Sequence, residues 1–317
     1  MLDGRSILVT GGTGSLGRAL VRALLRDHAP ERIVVFSRDE EKQVALARDL
    51  GDAPVRFVLG DVRDAEALSD AMRGVSLVVH AAALKHVALA ERNPLESVKT
   101  NIHGAQNVMR AARMAGVERV VSVSTDKAVD PVGLYGACKL AADRIVVEAS
   151  ARENEDGPRA SVVRLGNIAG SRGSVVPLYA RLIAEGATAL PMTDERMTRF
   201  WMSGREAAAF TLAAFERMEG GDVLVPKAAS ARLPDIVEAC AGHRRTRTIG
   251  MRPGERLHEA MWPSGAGTRV FERDGSFVLP RGAASAEALP EDRTYRSDRD
   301  APFLDVETIV RLNAERE

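Results

Sequence analysis

The chain reads as an α/β protein built on a doubly wound parallel sheet with a smaller C-terminal substrate domain. Three observations carry that reading. Short apolar, β-branched runs alternate with helix-length stretches every ~25 to 40 residues, the β-α-β rhythm of a parallel sheet. The first run, Ile7 to Thr10, empties into Gly11-Gly12-Thr13-Gly14-Ser15-Leu16-Gly17, and a helix bearing Leu16, Leu20, Ala23 and Leu24 follows. A later run, Val117 to Val123, leads into Thr125-Asp126-Lys127 and then a helix that carries Tyr135 and Lys139 at i and i+4 on one face.

Composition narrows the class. The 317 residues suffice for one large domain or two sharing a cleft, and 45% of them are apolar. Lysine plus arginine equals aspartate plus glutamate at 44 each, and aromatic residues make up only 4%, so neither phosphate-backbone binding nor base stacking is favoured. No apolar run approaches the ~20 residues of a spanning helix, and no charged-then-apolar leader opens the chain. Cys138 and Cys240 are too few for a disulfide framework or a zinc site. The expectation is a soluble, cytoplasmic protein with no metal, no nucleic-acid partner and no membrane partner.

Taken in order, the first strand, turn and helix set Gly11, Gly14 and Gly17 at GxxGxxG spacing. Glycines there permit a tight turn, close approach of backbone to a pyrophosphate, and helix packing, with the helix N-terminus facing the anion. Gly11, Thr13, Gly14, Ser15, Leu16 and Gly17 are therefore candidate dinucleotide contacts. The second strand, Arg32 to Phe36, ends in Ser37-Arg38, with Lys42 one turn on. An acid at this place would accept from a ribose 2′-hydroxyl. Against a 2′-phosphate the same acid would cost about 4 kcal/mol per charge pair at ~4 Å and an effective dielectric of ~20. Arginine reverses that sign and can bond bidentately, so Ser37, Arg38 and Lys42 predict NADP.

The third strand, Val55 to Leu59, ends in Gly60-Asp61-Val62; Asp61 either accepts from an adenine amino group or caps the helix from Ala65. The fourth, Leu77 to His80, ends in Ala81-Ala82-Ala83, small enough for close cofactor approach, with Lys85 and His86 on the loop beyond. Lys85 is the stronger candidate ligand contact of the two, and His86 reads as a partly solvated loop residue. Asn93-Pro94 opens a helix to about Gly116; Tyr135 to about Glu153 is the helix after the fifth strand; Val162 to Leu165 is the sixth strand, ending in Gly166-Asn167.

The alternation breaks at Ile168. Gly170 to Ser174 is a loop rich in backbone amides, 177–186 a helix, and 192–201 a polar stretch. A helix over Gly204 to Met218 and a strand over Asp222 to Val225 rejoin the sheet. Leu233 to Cys240 and Leu304 to Asn313 read as helices, Arg247 to Gly250 as extended, and 264–294 as an irregular surface segment. The division expected is 1–167 (rejoined by about 201–225) for the cofactor, and 168–200 with 226–317 for the substrate.

TGGTGSLG, SRDEEKQ, GDVRD, HAAALKHV, STDKA, YGACK, RLGNIAGSRGSVVP, MTDERMTRFWM and MRPGERLHE together resemble the extended short-chain dehydrogenase/reductase superfamily, a Rossmann fold. Within it they look like the soluble inverting UDP-N-acetylglucosamine 4,6-dehydratases of pseudaminic acid synthesis. The match runs from about Ile7 to Glu259 and more loosely beyond. The chain departs from it at Val225 to Ala231 and over 264–294, in the part that would choose the sugar.

The resemblance implies an NADP-dependent, redox-neutral loss of water from a UDP-hexose, with inversion at C5. Tyr135, its pKa lowered by Lys139 and other cations, would take the 4-hydroxyl proton, and Thr125 would hold the 4-oxygen. Lys127, made close to neutral, would take the C5 proton, while Asp126, kept protonated by burial, would protonate the departing 6-hydroxyl. Asn167, Ser174 and the adjoining Val175 would hold the pyrophosphate and ribose side, with Lys85 nearby; Arg199 and Arg252 would clamp the phosphates; Glu255 would accept from the ribose. A homo-oligomer, dimer or hexamer, is expected by the same likeness. A UDP-hexose 4-epimerase needs no acid/base pair at C5 and C6, and a C5-retaining dehydratase usually pairs Asp with Glu, so Asp126-Lys127 weighs against both. A non-catalytic NADP-binding relative would commonly lack the Tyr135/Lys139 pair.

Overall fold

Strands covered by helices on both faces must be apolar along their whole length, and β1 (Ser6–Thr10) is buried at every residue. The computed structural model describes residues 1–151, 155–264, 269–281, 288–290 and 292–315. After β1 come α1 (Ser15–Asp27), β2 (Arg32–Ser37), α2 (Glu40–Leu50), β3 (Val55–Leu59), α3 (Ala65–Ala71), β4 (Leu77–His80), α4 (Val87–Arg92), α5 (Pro94–Ser97), α6 (Gly104–Met114), β5 (Arg119–Thr125), α7 (Leu134–Ala149) and β6 (Arg159–Leu165). The second half holds β7 (Asn167–Ile168), α8 (Val175–Ala184), β8 (Ala189–Met192), β9 (Thr198–Met202), α9 (Gly204–Arg217), β10 (Val223–Pro226), β11 (Ser230–Arg232), α10 (Leu233–Ala241), β12 (Arg245–Thr248), β13 (Phe271–Arg273), β14 (Ser276–Leu279) and α11 (Val306–Ala314).

One sheet has the order β13-β14-β10-β6-β5-β4-β1-β2-β3. From β10 to β3 all neighbours are parallel. Chain order reverses between β1 and β4, so the connections after them leave to opposite faces and open a crevice at the strands' carboxyl ends. On one face, Leu20 and Leu24 of α1 join Leu212 and Phe215 of α9 in one buried cluster; on the other, Val108 and Ala112 of α6 join Val146 of α7. Each such large side chain contributes about 1.5–3 kcal/mol on burial. Two smaller sheets, β11-β9-β7 and β12-β8, lie beside the main one, on apolar clusters around Tyr179, Leu190 and Leu233 and around Trp201, Ile236 and Ile309. Among the described residues no helix is long and apolar enough to cross a membrane.

The structure corrects one expectation and refines two. Residues 264–294 are not wholly irregular: β13 and β14 pair with each other, and β14 lies antiparallel on β10, Phe277 opposite Val225. Phe277 holds the hairpin in an aromatic cluster, 4.8 Å from the Trp262 ring and 5.0 Å from that of Tyr295. Residues 265–268, 282–287 and 291 of that segment lie outside the described residues. The polar stretch 192–201 is a turn that runs into a strand, β9, which buries Phe200 and Trp201. The helix from Pro94 runs unbroken to Met114, as expected, but is not α throughout. It opens with Pro at α5, widens into a π turn over Val98–His103, and resumes as α6. The π turn carries buried Asn101, which accepts from the Leu84 N–H (2.8 Å) and donates to the Leu84 carbonyl (3.0 Å), fixing the loop after β4.

Candidate active site

The crevice begins at the glycine-rich turn. Gly11 has φ +67°, and a Cβ there would stand 2.8 Å from the Ala82 backbone; a Cβ at Gly17 would stand 2.3 Å from the Gly11 carbonyl oxygen. Only glycine lets the turn lie against the Ala81–Ala83 loop and α1 lie against the turn. Gly14 caps α1 without a side-chain hydrogen bond, so the first-turn N–H groups are left for an anion. Gly11, Thr13, Gly14, Ser15, Leu16, Gly17, Ser37, Arg38, Lys42, Asp61, Val62, Ala81, Ala82, Ala83, Lys85, Tyr135 and Lys139 all line one cleft, as do Thr125, Lys127 and Asn167. The glycine cradle and the uncapped helix fit a dinucleotide pyrophosphate, and Arg38 and Lys42 line the same cleft beyond them.

At the far end of that cleft, Ser37 is buried, and Gln43 donates to its carbonyl (2.9 Å) and its hydroxyl (3.2 Å). Arg38 lies 3.6 Å from the Asp61 carboxylate, and Lys42 is paired with Asp39, the cap of α2. Asp61 is no cap: Asp64 accepts from the Glu66 and Ala67 N–H groups and begins α3. The Asp61 carboxyl is held below its usual range; burial opposes this, but the Arg63 guanidinium, 2.7 Å away, prevails.

The chemistry-bearing groups meet where β5 ends. A single 3-10 turn, Asp126–Ala128, follows Thr125. A Cβ on Gly136 would stand 2.1 Å from the Lys127 carbonyl, so glycine between Tyr135 and Lys139 is what brings α7 against this turn. Lys139 donates to the Val123 carbonyl at 2.7 Å, on the same helical face as Tyr135. Thr125 donates to Asp126 Oδ1 (2.9 Å), and Lys127 Nζ donates to the same oxygen (2.9 Å) and to Asn167 Oδ1 (3.0 Å). Asp126 Oδ2 is buried and has no partner among the described residues.

Two expected pKa shifts have the opposite sign. Burial pushes the Tyr135 phenol up to about 12; Lys127 opposes this and Asp126 adds to it. Burial disfavours the Lys127 ammonium, but the Asp126 and Glu259 carboxylates outweigh it and raise the amine above its usual value. Lys127 is thus an ammonium in the protein alone. Lys139 is lowered by burial, with Asp143 opposing.

The expected substrate residues are distributed differently from the cofactor set. Asn167 spends its carbonyl on Lys127. Ser174 precedes Val175 at the start of α8, caps that helix with no side-chain bond, and has a buried Oγ unpartnered among the described residues. The Glu255 carboxylate accepts from the Arg252 N–H at 2.8 Å, closing a turn that leaves the Arg252 side chain exposed. Arg199 is not free to clamp a phosphate in this structure. Its Nη groups donate to the carbonyls of Thr198 (2.7 Å), Leu257 (3.0 Å) and Arg256 (2.9 Å), and its Nε lies 3.8 Å from Glu259. It staples the 256–259 segment to β9.

Three residues were not singled out from the sequence. Glu259, 4% exposed, lies 3.7 Å from Lys127 Nζ and lines a small pocket with Tyr135, Lys127, Gly133, Gly254 and Arg256. Arg172 reaches across the cleft to the Thr13 carbonyl, while its backbone N–H donates to Ser15 Oγ at 3.0 Å. Glu259 and Arg256 had no periodic or spacing signal; only their place inside MRPGERLHE pointed near them.

Comparison with known proteins follows the same lines. A family model described as polysaccharide biosynthesis protein matches residues 7–279. The UDP-N-acetylglucosamine 4,6-dehydratase (inverting) of Campylobacter jejuni subsp. jejuni serotype O:2 is 47% identical over 279 residues, 88% of this chain and 84% of that protein. A UDP-glucose 4-epimerase of Rickettsia bellii is 37% identical, covering 88% and 84%. The X-ray structure of Pen from Bacillus thuringiensis superposes with a TM-score of 0.90 at 33% identity, covering 98% of both chains.

Proposed function

The chain belongs to the polysaccharide biosynthesis protein family, on the extended short-chain dehydrogenase/reductase fold, and from that premise we propose that it removes water from a UDP-hexose, most specifically UDP-N-acetylglucosamine, with inversion at C5. The observation that carries this is the Asp126–Lys127 pair, 2.9 Å apart, on the turn beside Tyr135. Oxidation alone needs Tyr135 and Lys139. The added acid and amine are what an elimination requires.

What a nicotinamide dinucleotide supplies when bound is acceptance of hydride from C4 and its return at C6. The chain's own groups move the protons. Tyr135 takes the 4-hydroxyl proton, and the resulting ketone acidifies C5. Lys127, an ammonium at rest, passes one proton across the 2.9 Å contact to Asp126 Oδ1. That transfer makes a neutral amine and a carboxylic acid together, and a site closed by substrate favours the neutral pair. Lys127 then takes the C5 proton, and Asp126 gives its proton to the departing 6-hydroxyl. The products are water, a 4-keto-5,6-ene sugar and the original ion pair, so charge balances over the step. Return of hydride at C6 would leave an enolate, and a proton taken from solvent on the opposite face of C5 gives the inverted 4-keto-6-deoxy sugar.

The test is incubation with UDP-N-acetylglucosamine in deuterated water, followed by NMR. A 4-keto-6-deoxy product in the arabino configuration with deuterium at C5 is expected. Unchanged sugar, or the galacto epimer alone as for an epimerase, would overturn the reading. NADP, rather than NAD, is the proposed cofactor because Arg38 and Lys42 stand at the cleft's adenosine end. Arg38→Ala should weaken NADP binding about tenfold while leaving NAD little changed, since an exposed charge-assisted contact contributes about 1–2 kcal/mol; calorimetric titration with both dinucleotides checks it, and equal losses would count against a 2′-phosphate contact. The class of pathway that would consume the product is synthesis of a 6-deoxy surface sugar such as pseudaminic acid.

A further inference from the structure

Four charges meet at the elimination pair, its own two members included. Lys127 Nζ is 2.9 Å from Asp126 Oδ1 and 3.7 Å from Glu259 Oε1; that same Glu259 oxygen is 3.8 Å from Arg199 Nε. The arginine is fixed by three backbone carbonyls, and the Glu259 N–H is fixed by Ser297 Oγ at 2.9 Å. The cluster is electrically neutral with all four groups ionised. It stays neutral when Lys127 hands its proton to Asp126, because Glu259 still balances Arg199. Without Glu259 the resting cluster would carry a buried excess positive charge, and the cheapest relief is loss of the Lys127 proton.

We infer that Glu259 is a positioning residue for the elimination: it fixes the charge on the Lys127 amine and so sets the pH range in which the C5 proton can be taken. This rests on the dehydratase reading above. The charged and titratable groups facing the cluster are Asp126 and Lys127 on the turn after β5, Tyr135 from α7, Arg199 from β9, and Arg256 on the segment that carries Glu259. Of these, Glu259 is the member that touches Lys127 without having a proton to give or take in the elimination itself.

The experiment is the pH profile of dehydration in the wild type and in Glu259→Gln, which keeps the side chain's shape and removes its charge. The elimination needs one proton on the Asp126–Lys127 pair, carried by Lys127 at rest, so activity falls with rising pH through an alkaline limb as Lys127 loses that proton to solvent. Loss of the neighbouring carboxylate lowers the proton affinity of Lys127 by roughly ten- to a hundredfold, moving that limb down by roughly one to two pH units. A lower rate at every pH with an unmoved midpoint would mean a purely structural role and overturn the inference. Should the glutamine variant fail to fold, Glu259→Asp decides: its shorter carboxylate must move the midpoint in the same direction by less, and an unmoved midpoint again overturns it. A second readout does not depend on turnover. The carbon-13 resonance of reductively methylated Lys127, assigned by its loss in Lys127→Ala, must titrate at lower pH in Glu259→Gln. If the resonance shifts but the wild type forms no dehydrated sugar, the activity reading fails and the charge-setting role stands. If the sugar forms and the resonance does not shift, the reverse holds.

Discussion

Lys127→Ala should reduce dehydration by ~10³-fold or more while leaving the dinucleotide bound and the protein folded. The size follows from the loss of two functions at once. The alanine cannot accept the C5 proton, and it cannot donate the proton that turns Asp126 into the acid for the 6-hydroxyl. The cofactor cleft has a separate foundation in the glycine turn and the Ala81–Ala83 loop, so binding there should persist. Lys127 packs no core cluster, and its removal leaves Asp126 with the Thr125 hydroxyl as partner. Folding should therefore survive. Oxidation at C4, which in the proposed mechanism uses Tyr135 and Lys139, should continue. The expected result is a 4-keto sugar that retains its 6-hydroxyl, trapped by borodeuteride quenching, with no deuterium at C5 in deuterated water. A variant that still dehydrates within tenfold of the wild type would remove Lys127 from the mechanism.

How far such an outcome could be read from the sequence depends on which forces placed each group. The first six strands and the cofactor cleft were legible because they are local: an apolar run, a glycine turn and a helix start are contiguous, and the strand's end dictates where the next residues lie. Tyr135, Lys139, Asp126 and Lys127 were legible for the same reason, being one strand end and one helix turn. Glu259 was not, because its role comes from a chain segment that returns to the site from the far side of the small domain. The signs of the Tyr135 and Lys127 shifts were also beyond the sequence. They depend on burial and on two carboxylates, and only one of these is a neighbour in the chain. Arg199 shows the same limit. Its residue type suits a phosphate, but the carbonyls of 256–257 reach it first. The β13–β14 hairpin was hidden because three- and four-residue strands carry almost no period, and Phe277 becomes informative only beside Trp262 and Tyr295.

Tyr135→Phe should remove activity by a similar factor, ~10²–10⁴-fold, but at an earlier step. The substitution deletes one oxygen and keeps the ring, so α7 and the packing of Gly136 on the turn are preserved. What disappears is the group proposed to accept the 4-hydroxyl proton. In the protein alone that phenol is pushed to about 12 by burial, and a phenol so high is protonated at neutral pH and cannot act as a base. The positive nicotinamide of a bound cofactor would favour the phenolate and bring the value down, as Lys127 already does in part. On the proposed mechanism the cleft would couple base strength to cofactor occupancy, the tyrosine acting as a base only with the dinucleotide in place. Because the base is the deprotonated form, oxidation at C4 should rise with pH up to the phenol's value in the loaded enzyme, and this rise should vanish in the phenylalanine variant. Borodeuteride quenching separates the two variants. Lys127→Ala should yield a trapped 4-keto sugar, whereas Tyr135→Phe should yield none. A trapped ketone in Tyr135→Phe at the wild-type level would show that another group takes the 4-hydroxyl proton, and Thr125, which is hydrogen-bonded to Asp126 and lowers the phenol, would be the next to replace.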